Sequence, residues 1–193
     1  EYFSDSFDFA FPSPSNGLFY NGVIYIPCMY GLQGVWYSGL CHNANGNWEF
    51  SPITLTSQDN ESTIYEYGGE IYLNCRNDRG AMFPYYRSSY RYILEKNEFE
   101  EVYDYFKPYA RCQGYIKNVD GNLLRSFPNS VDNKGKDGGL SARINNTIWV
   151  SNDNEKWSGL AQVSAIGGYT SFDVCQDTIY CIYEDSEHSH SCL

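Results

Sequence analysis

Four short turn motifs, spaced about fifty residues apart, constrain the fold of this chain more than any other feature of its sequence. Each motif is a dipeptide of the kind that closes a two-residue β-hairpin, and each is followed by an alternating apolar run. A period of this length is typical of repeated antiparallel sheets, such as the blades of a propeller. The dipeptides are Asn21-Gly22, Gly68-Gly69, Asp120-Gly121 and Gln176-Asp177, and the runs that follow are Val23–Ile26, Glu70–Leu73, Asn122–Leu124 and Thr178–Cys181.

The amino-acid composition favours strands and turns over helices. Aromatic residues make up 18% of the chain, with 19 Tyr, and 17 Gly supply turn positions. No long stretch carries apolar residues at helical spacing, and the only helix expected is a short polar one between Leu94 and Phe106. With 193 residues the chain is long enough for one hydrophobic core. The sequence therefore predicts an all-β domain.

The distribution of charge limits the partners of the chain. Its formal net charge is −11, and Arg76 is the first Lys or Arg in the sequence. A nucleic-acid surface needs a basic stripe, which this chain lacks. Any site for an anion must therefore be a local cluster of arginines in a negative background.

The cysteines and sequons favour an extracellular or cell-surface protein. Seven cysteines include no Cys-x-x-Cys pair, so zinc-ribbon chemistry is not expected. Asn60-Glu61-Ser62 and Asn145-Asn146-Thr147 fit the glycosylation sequon. No stretch approaches a membrane span. His188, His190 and Cys192 alternate like metal ligands, but we interpret them as a polar tail, and no metal or cofactor is expected.

A second motif recurs out of phase with the turns and consists of a strand, a polar turn and an aromatic residue. Its clearest copy runs from Ser151 through Asp153 to Trp157. This copy resembles the Asp-box of sialidase-type propellers, S-x-D-x-G-x-T-W, with Glu155 in place of the glycine. The Asp-box is a structural element, so the resemblance bears on the fold and not on activity.

Further motifs resemble the sialidase (neuraminidase) and trans-sialidase superfamily in the order of that family. Taken singly, each residue has a simpler explanation: the arginines as surface charges, the tyrosine as a packing residue and the glutamates as solvated strand ends. The ordered set is harder to obtain by chance. The motifs are Asn60-Glu61, Leu73-Asn74-Cys75-Arg76, Cys112-Gln113-Gly114, Arg143, Gly168-Tyr169-Thr170-Ser171 and Ile182-Tyr183-Glu184.

The resemblance implies a role for five of these residues. Tyr169 is expected to be the catalytic nucleophile, and Glu61 is expected to be the general base that takes its proton. Arg76 and Arg143 are expected to bind the carboxylate of the substrate through forked, charge-assisted hydrogen bonds. Glu184 is expected to orient the remaining arginine of the family's carboxylate-binding set.

The resemblance also implies a fold and an assembly. We expect about three to four blades of a six-bladed sialidase-type β-propeller. Residues 1–193 would be the C-terminal portion of that domain, and a companion polypeptide would supply the N-terminal blades, the first arginine and the acid/base aspartate. The implied function is release of terminal sialic acid from sialylated glycans, with retention. Two alternatives remain open: an inactive lectin or adhesin that binds sialic acid, and a structural propeller fragment.

Overall fold

The protein is an all-β chain in the computed structural model, which describes residues 7–51, 54, 58–77, 87–106, 110, 112–129, 143–185 and 191–192. These residues form sixteen strands and a single 3₁₀ turn at Ala44–Gly46. They divide into two compact units, the first comprising described residues up to Tyr103 and the second those from Asp104 onward. No helix in the described ranges is long and apolar enough to cross a membrane.

The first unit contains two antiparallel sheets. The first sheet has the order β1-β3-β4-β5, with β2 also paired to β3, and the second has the order β6-β7-β8-β9. The strands are β1 (Phe9–Pro12), β2 (Leu18–Tyr20), β3 (Val23–Leu32), β4 (Val35–His42), β5 (Glu49–Phe50), β6 (Asp59–Tyr67), β7 (Glu70–Asn77), β8 (Ser88–Ile93) and β9 (Glu98–Val102).

The second unit contains two further antiparallel sheets. Their orders are β10-β11-β12-β13 and β14-β15-β16. Consecutive strands are therefore neighbours throughout, as in a meander. The strands are β10 (Tyr115–Val119), β11 (Asn122–Pro128), β12 (Ile144–Ser151), β13 (Ser158–Ile166), β14 (Thr170–Cys175), β15 (Thr178–Asp185) and β16 (Ser191–Cys192).

The four predicted turn dipeptides are confirmed as hairpin turns. Each lies between two strands that pair with each other, one turn in each sheet. The backbone enters the left-handed region at all four turns, which is the conformation that Asn, Asp and Gly adopt most readily. The φ angles are 50° and 82° at Asn21 and Gly22, 62° and 83° at Gly68 and Gly69, 50° and 84° at Asp120 and Gly121, and 54° at Gln176.

The short helix expected between Leu94 and Phe106 is wrong. This segment forms a turn followed by strand β9, which pairs with β8 along its whole length. Asn97 has a φ of 52°, which a helix does not allow. Pairing with a neighbouring strand therefore determines the conformation of this polar segment more than its local pattern does.

Each unit has its own hydrophobic core. In the first unit Leu40, Ile64, Leu73 and Tyr90 are fully buried in a cluster that joins its two sheets. In the second unit one cluster contains Phe106, Cys112 and Phe127, and another contains Tyr115, Leu124, Ile148 and Phe172. The repeated sheets are therefore stabilised by packing side chains from facing strands.

The predicted polar turn after β12 is organised by one carboxylate. The Oδ1 atom of Asp153 accepts hydrogen bonds from the backbone N–H groups of Glu155 (2.9 Å) and Lys156 (2.7 Å) and lies 3.1 Å from the hydroxyl of Ser151. These N–H donors lower the pKa of Asp153. Trp157 follows the turn and packs against the cluster of Phe106.

The six cysteine side chains that the structure describes form no disulfide bonds. Cys28, Cys75 and Cys112 are buried, and the last two belong to hydrophobic clusters, in which cysteine acts as a small hydrophobic residue. Burial raises the pKa of Cys28 to about 12 and raises that of Cys75 well above its usual value. The Cys28 and Cys75 thiols are therefore protonated at neutral pH.

Candidate functional site

A β-bulge places Glu61 opposite Arg76 in the first unit. Strands β6 and β7 pair through Asp59↔Asn77 and Ser62↔Cys75. Two residues of β6 therefore face a single residue of β7. A bulge of this kind bends the strand and redirects a side chain, and such bulges are common beside active sites.

The Glu61–Arg76 contact is a partly buried ion pair. Arg76 Nη1 donates to Glu61 Oε2 at 2.8 Å. The side chain of Arg76 is 17% exposed and that of Glu61 is 15% exposed. A charge-assisted hydrogen bond at this depth is screened less by water than one on the surface. The pair therefore fixes the carboxylate and the guanidinium relative to each other.

Buried polar side chains hold the ends of this bulge. Asp59 is fully buried and accepts hydrogen bonds from Asn77 Nδ2 (2.7 Å) and the Tyr90 hydroxyl (2.6 Å). Burial raises the pKa of Asp59. Asn60 is 9% exposed, its Oδ1 accepts from the Glu61 N–H at 2.7 Å, and its carbonyl accepts from the Ser38 hydroxyl. A side chain buried in this way leaves little room for a glycan, so the sequon at Asn60 is better explained by packing.

In the second unit Arg143, Tyr169 and Glu184 lie together at one turn between β13 and β14. Arg143 Nη1 lies 3.7 Å from Glu184 Oε2, and the guanidinium carbon lies 5.1 Å from the centre of the Tyr169 ring. Backbone hydrogen bonds hold the same turn, because Gly167 N–H donates to the Arg143 carbonyl (3.1 Å) and Glu184 N–H donates to the Tyr169 carbonyl (2.8 Å). A cation, a phenol and a carboxylate are thereby brought into one cluster.

Two glycines make this close approach possible. A Cβ atom on Gly168 would lie 2.6 Å from Glu184 Oε2 and 2.9 Å from Arg143 Cδ. Gly167 has a φ of 154°, and a Cβ there would lie 2.1 Å from the Glu184 carbonyl oxygen. A side chain at Gly167 would therefore collide with the backbone, and one at Gly168 would require the Glu184 and Arg143 side chains to move. The Gly-Gly dipeptide before Tyr169 is the local sequence signal of this contact.

The peptide group between Gly168 and Tyr169 is bonded at both ends. Its carbonyl accepts a hydrogen bond from Asn146 Nδ2 (3.0 Å), and its N–H donates to Glu184 Oε2 (3.2 Å). In the sequence Asn146 is the middle residue of a sequon, a pattern that does not predict this contact. No local signal identifies it, because Gly168 lies 22 residues away along the chain.

The Tyr169 ring also packs against the aromatic cluster of its unit. That cluster contains Phe106 and Phe127, with Trp149 at its edge. The same cluster contacts Arg125, whose side chain is 1% exposed. Its two terminal nitrogen atoms lie 3.2 and 3.3 Å from the carboxylate oxygens of Asp104, and its guanidinium carbon lies 3.8 Å from the centre of the Phe106 ring. The side chains that pack against the Tyr169 ring therefore belong to the hydrophobic core of the second unit.

The five residues predicted for the site fall into two groups. Glu61 and Arg76 are paired within the first unit, and Arg143, Tyr169 and Glu184 are clustered within the second. Within its own unit Glu184 contacts Arg143. In the part of the chain that the structure describes, no group of three or more His, Cys, Asp or Glu side chains is arranged to hold a metal ion, and the predicted tail residues His188 and His190 lie outside that part.

The fold is that of a sialidase-type β-propeller, of which the chain forms a part. Among solved structures it is similar to Trypanosoma rangeli sialidase, with a TM-score of 0.68 and 17% sequence identity over 84% of this chain. The same enzyme in complex with sialic acid gives a TM-score of 0.67. A GH43_1 enzyme from Xanthomonas citri gives a TM-score of 0.58 at 11% identity. The match covers 89% of this chain and 63% of the chain of that enzyme.

The comparisons establish the fold and the extent of the match. The chain spans 27% of the length of the Trypanosoma sialidase. No protein-family model matches the chain, and no curated protein matches its sequence. The expectation of an all-β chain forming part of a sialidase-type propeller is confirmed.

Proposed function

We propose that this chain is part of a retaining exo-α-sialidase that releases terminal sialic acid from glycans. The observation that carries the proposal is the cluster of Arg143, Tyr169 and Glu184, which the Gly167-Gly168 dipeptide allows to form. The arginine and tyrosine supply the two groups that sialic acid chemistry requires, a carboxylate-binding cation and a neutral nucleophile. The resemblance to solved sialidases in fold supports the choice of substrate class.

The chemistry of sialic acid explains the choice of a tyrosine. The carbon that is attacked carries a carboxylate, so a carboxylate nucleophile would be repelled in a partly dry pocket. A phenol approaches as a neutral group, and sialidases are the glycosidases that use one. Because the reference pKa of tyrosine is about 10, a carboxylate must accept its proton at neutral pH. We assign Tyr169 as the nucleophile and Glu61 as this base.

The arginines are assigned to the substrate carboxylate. Arg76 and Arg143 each carry a planar guanidinium that can donate two parallel hydrogen bonds to a carboxylate, which a lysine cannot do. Each is held by a glutamate of its own unit, Arg76 by Glu61 and Arg143 by Glu184. In the proposed site these contacts orient the guanidinium groups before the substrate binds.

We also propose that a companion polypeptide supplies the blades and catalytic groups that this chain does not contain. The family's first arginine has no counterpart here, because no arginine precedes Arg76. The first sheet carries an apolar cavity of about 220 Å³ that is lined by residues including Phe11, Ile26 and Trp48. Phe11 and Trp48 are 41% and 43% exposed. An apolar sheet face of this kind fits against another sheet.

The companion proposal is tested by hydrodynamics together with activity. We expect the 193-residue chain alone to be inactive on a fluorogenic sialoside and to associate through its apolar surfaces. A chain that is monomeric, unfolds cooperatively and cleaves the sialoside by itself would contradict the proposal. In keeping with the substrate, we propose an extracellular or cell-surface location.

The sialidase proposal is tested with 2,3-difluorosialic acid, which forms a covalent intermediate with the Trypanosoma enzyme. The full product of the gene is incubated with this compound, and the intact mass and the modified peptide are determined. We expect one adduct on Tyr169 and none in Tyr169→Phe. Binding of sialic acid without an adduct would favour the lectin alternative, and absence of both would favour a structural propeller fragment.

A further inference from the structure

Asn146 is a buried polar residue that contacts the turn carrying Tyr169. It lies in β12, three residues after Arg143, and its side chain is fully buried. Its Nδ2 atom donates to the Gly168 carbonyl at 3.0 Å. This bond connects β12 to the turn that carries Tyr169.

The same peptide group is held from its other side. The Tyr169 N–H donates to Glu184 Oε2 at 3.2 Å. A peptide group is planar, so its carbonyl oxygen, its N–H and the two flanking Cα atoms move together. Asn146 and Glu184 therefore act as a clamp that fixes the Cα atom of Tyr169 and the direction in which its side chain leaves the backbone.

Within the described ranges, the Asn146 amide has a hydrogen bond at its nitrogen but not at its oxygen. Among the described residues, its Oδ1 atom is buried and has no hydrogen-bond partner. An unpaired buried acceptor is unfavourable, and a leucine, whose side chain branches at the same carbon and has the same number of heavy atoms, would avoid it. The contribution that distinguishes asparagine from leucine at this position is the N–H donor to Gly168.

We infer that Asn146 is a positioning residue for the proposed nucleophile. The inference rests on the proposed function, because it assigns to Asn146 the orientation of the phenol that attacks the sugar. Asn146 acts through the Gly168–Tyr169 peptide and not on the substrate. Its loss should slow formation of the covalent bond more than it weakens binding, because attack requires closer alignment than binding does.

The first test measures adduct formation and binding separately in Asn146→Leu. We expect the adduct with 2,3-difluorosialic acid to form roughly 10- to 100-fold more slowly. Binding is measured with DANA, an inhibitor that binds the Trypanosoma rangeli sialidase. Its dissociation constant should change by no more than about two-fold, because Arg76 and Arg143 are unchanged. An unchanged rate of adduct formation would overturn the inference, and so would a parallel loss of DANA binding.

Ile148→Val is the matched control for stability. Ile148 lies in the same strand and is 2% exposed, but its side chain belongs to the cluster of Tyr115 and Phe172. This substitution should destabilise the second unit without slowing adduct formation. An equal slowing in Ile148→Val would show that the effect of Asn146→Leu is a general loss of stability.

The second test needs no ligand and separates this inference from the proposed function. In the full product of the gene labelled with ¹⁵N-tyrosine, the amide signal of Tyr169 is identified by its absence in Tyr169→Phe. We expect amide exchange at Tyr169 to be about ten-fold faster in Asn146→Leu, with Tyr115 as the internal reference. Faster exchange without any adduct in the native protein would reject the sialidase and retain the clamp. Unchanged exchange at Tyr169 would reject the clamp.

Discussion

Glu184 and Tyr169 are joined by two hydrogen bonds that run in opposite directions. The Tyr169 N–H donates to the Glu184 carboxylate at 3.2 Å, and the Glu184 N–H donates to the Tyr169 carbonyl at 2.8 Å. One residue therefore contacts the backbone of the proposed nucleophile through its side chain and its main chain. Because the Glu184 carboxylate also faces Arg143, a change at this turn should affect both the fold and the proposed chemistry.

Gly168→Ala should destabilise the second unit by about 1–3 kcal/mol. The new Cβ would lie 2.6 Å from Glu184 Oε2 and 2.9 Å from Arg143 Cδ, so both side chains would have to move. Gly159→Ala is the matched control, because a Cβ there would meet its nearest neighbour, in Thr147, at 3.7 Å. Urea unfolding of both variants checks the prediction, and similar stabilities would contradict the close packing at Gly168.

Tyr169→Phe removes one oxygen and little volume. In the complete domain we expect turnover of a fluorogenic sialoside to fall about 1,000-fold or more, because the attacking atom is lost. The fold and the binding of DANA should be preserved. Near-normal turnover would reject Tyr169 as the nucleophile.

Glu61→Gln should slow turnover about 100-fold or more while leaving DANA binding largely intact. The neutral amide cannot accept the phenol proton. Its oxygen can still accept the hydrogen bond from Arg76, so the bulge should be retained. The comparison to make is turnover beside the dissociation constant. A loss of binding as large as the loss of turnover would assign Glu61 a structural role instead.

Arg143→Lys should weaken binding itself. One ammonium group cannot replace the forked pair of hydrogen bonds that a guanidinium donates to a carboxylate. We expect the affinity for DANA to fall about ten-fold or more, as the loss of a charge-assisted bond implies. Calorimetric titration measures this effect. Normal affinity combined with reduced turnover would move Arg143 out of the carboxylate site.

Arg125→Met should destabilise the second unit by about 3–5 kcal/mol. The substitution leaves the Asp104 carboxylate, which is 12% exposed, without the guanidinium that it pairs with at 3.2 Å. The double variant Asp104→Asn, Arg125→Met should recover part of this loss, because it removes the uncompensated charge. Urea unfolding of the two single variants and the double variant forms the test, and strictly additive losses would argue against coupling.

The stability of the first unit should decrease as the pH falls below about 6.5 because of His42. His42 is 7% exposed, and burial lowers its pKa although Glu49 acts in the opposite direction. Below pH 6.5 the unfolded chain binds a proton on His42 that the folded chain binds only at lower pH. Protonation therefore favours unfolding.

Replacing His42 by glutamine tests this linkage. The slope of unfolding free energy against pH between 7 and 5 should be smaller in His42→Gln, by up to about 1.4 kcal/mol per pH unit. The rest of the chain titrates equally in both proteins, so the difference isolates His42. Parallel pH profiles would contradict the assignment.

Much of the fold could be predicted from the sequence because its signals are local. Residue types that readily adopt a positive φ, such as Asn21 and Asp120, predict the hairpin turns without any knowledge of the tertiary contacts. Alternation of apolar and polar residues then identifies the strands on both sides. The helix predicted between Leu94 and Phe106 is wrong because strand β9 forms there by pairing with β8, and the local sequence pattern does not show that pairing.

The candidate site divides in the same way. The sequence by itself determined the types and order of Glu61, Arg76, Arg143, Tyr169 and Glu184, together with the Gly-Gly dipeptide before the tyrosine. Only the tertiary structure decided that a bulge aims Glu61 at Arg76, and that Asn146 and Glu184 clamp one peptide group. These contacts join residues 15 to 22 positions apart. They depend on strand register and on which polar groups become buried, which are properties of the paired sheets and not of any single segment.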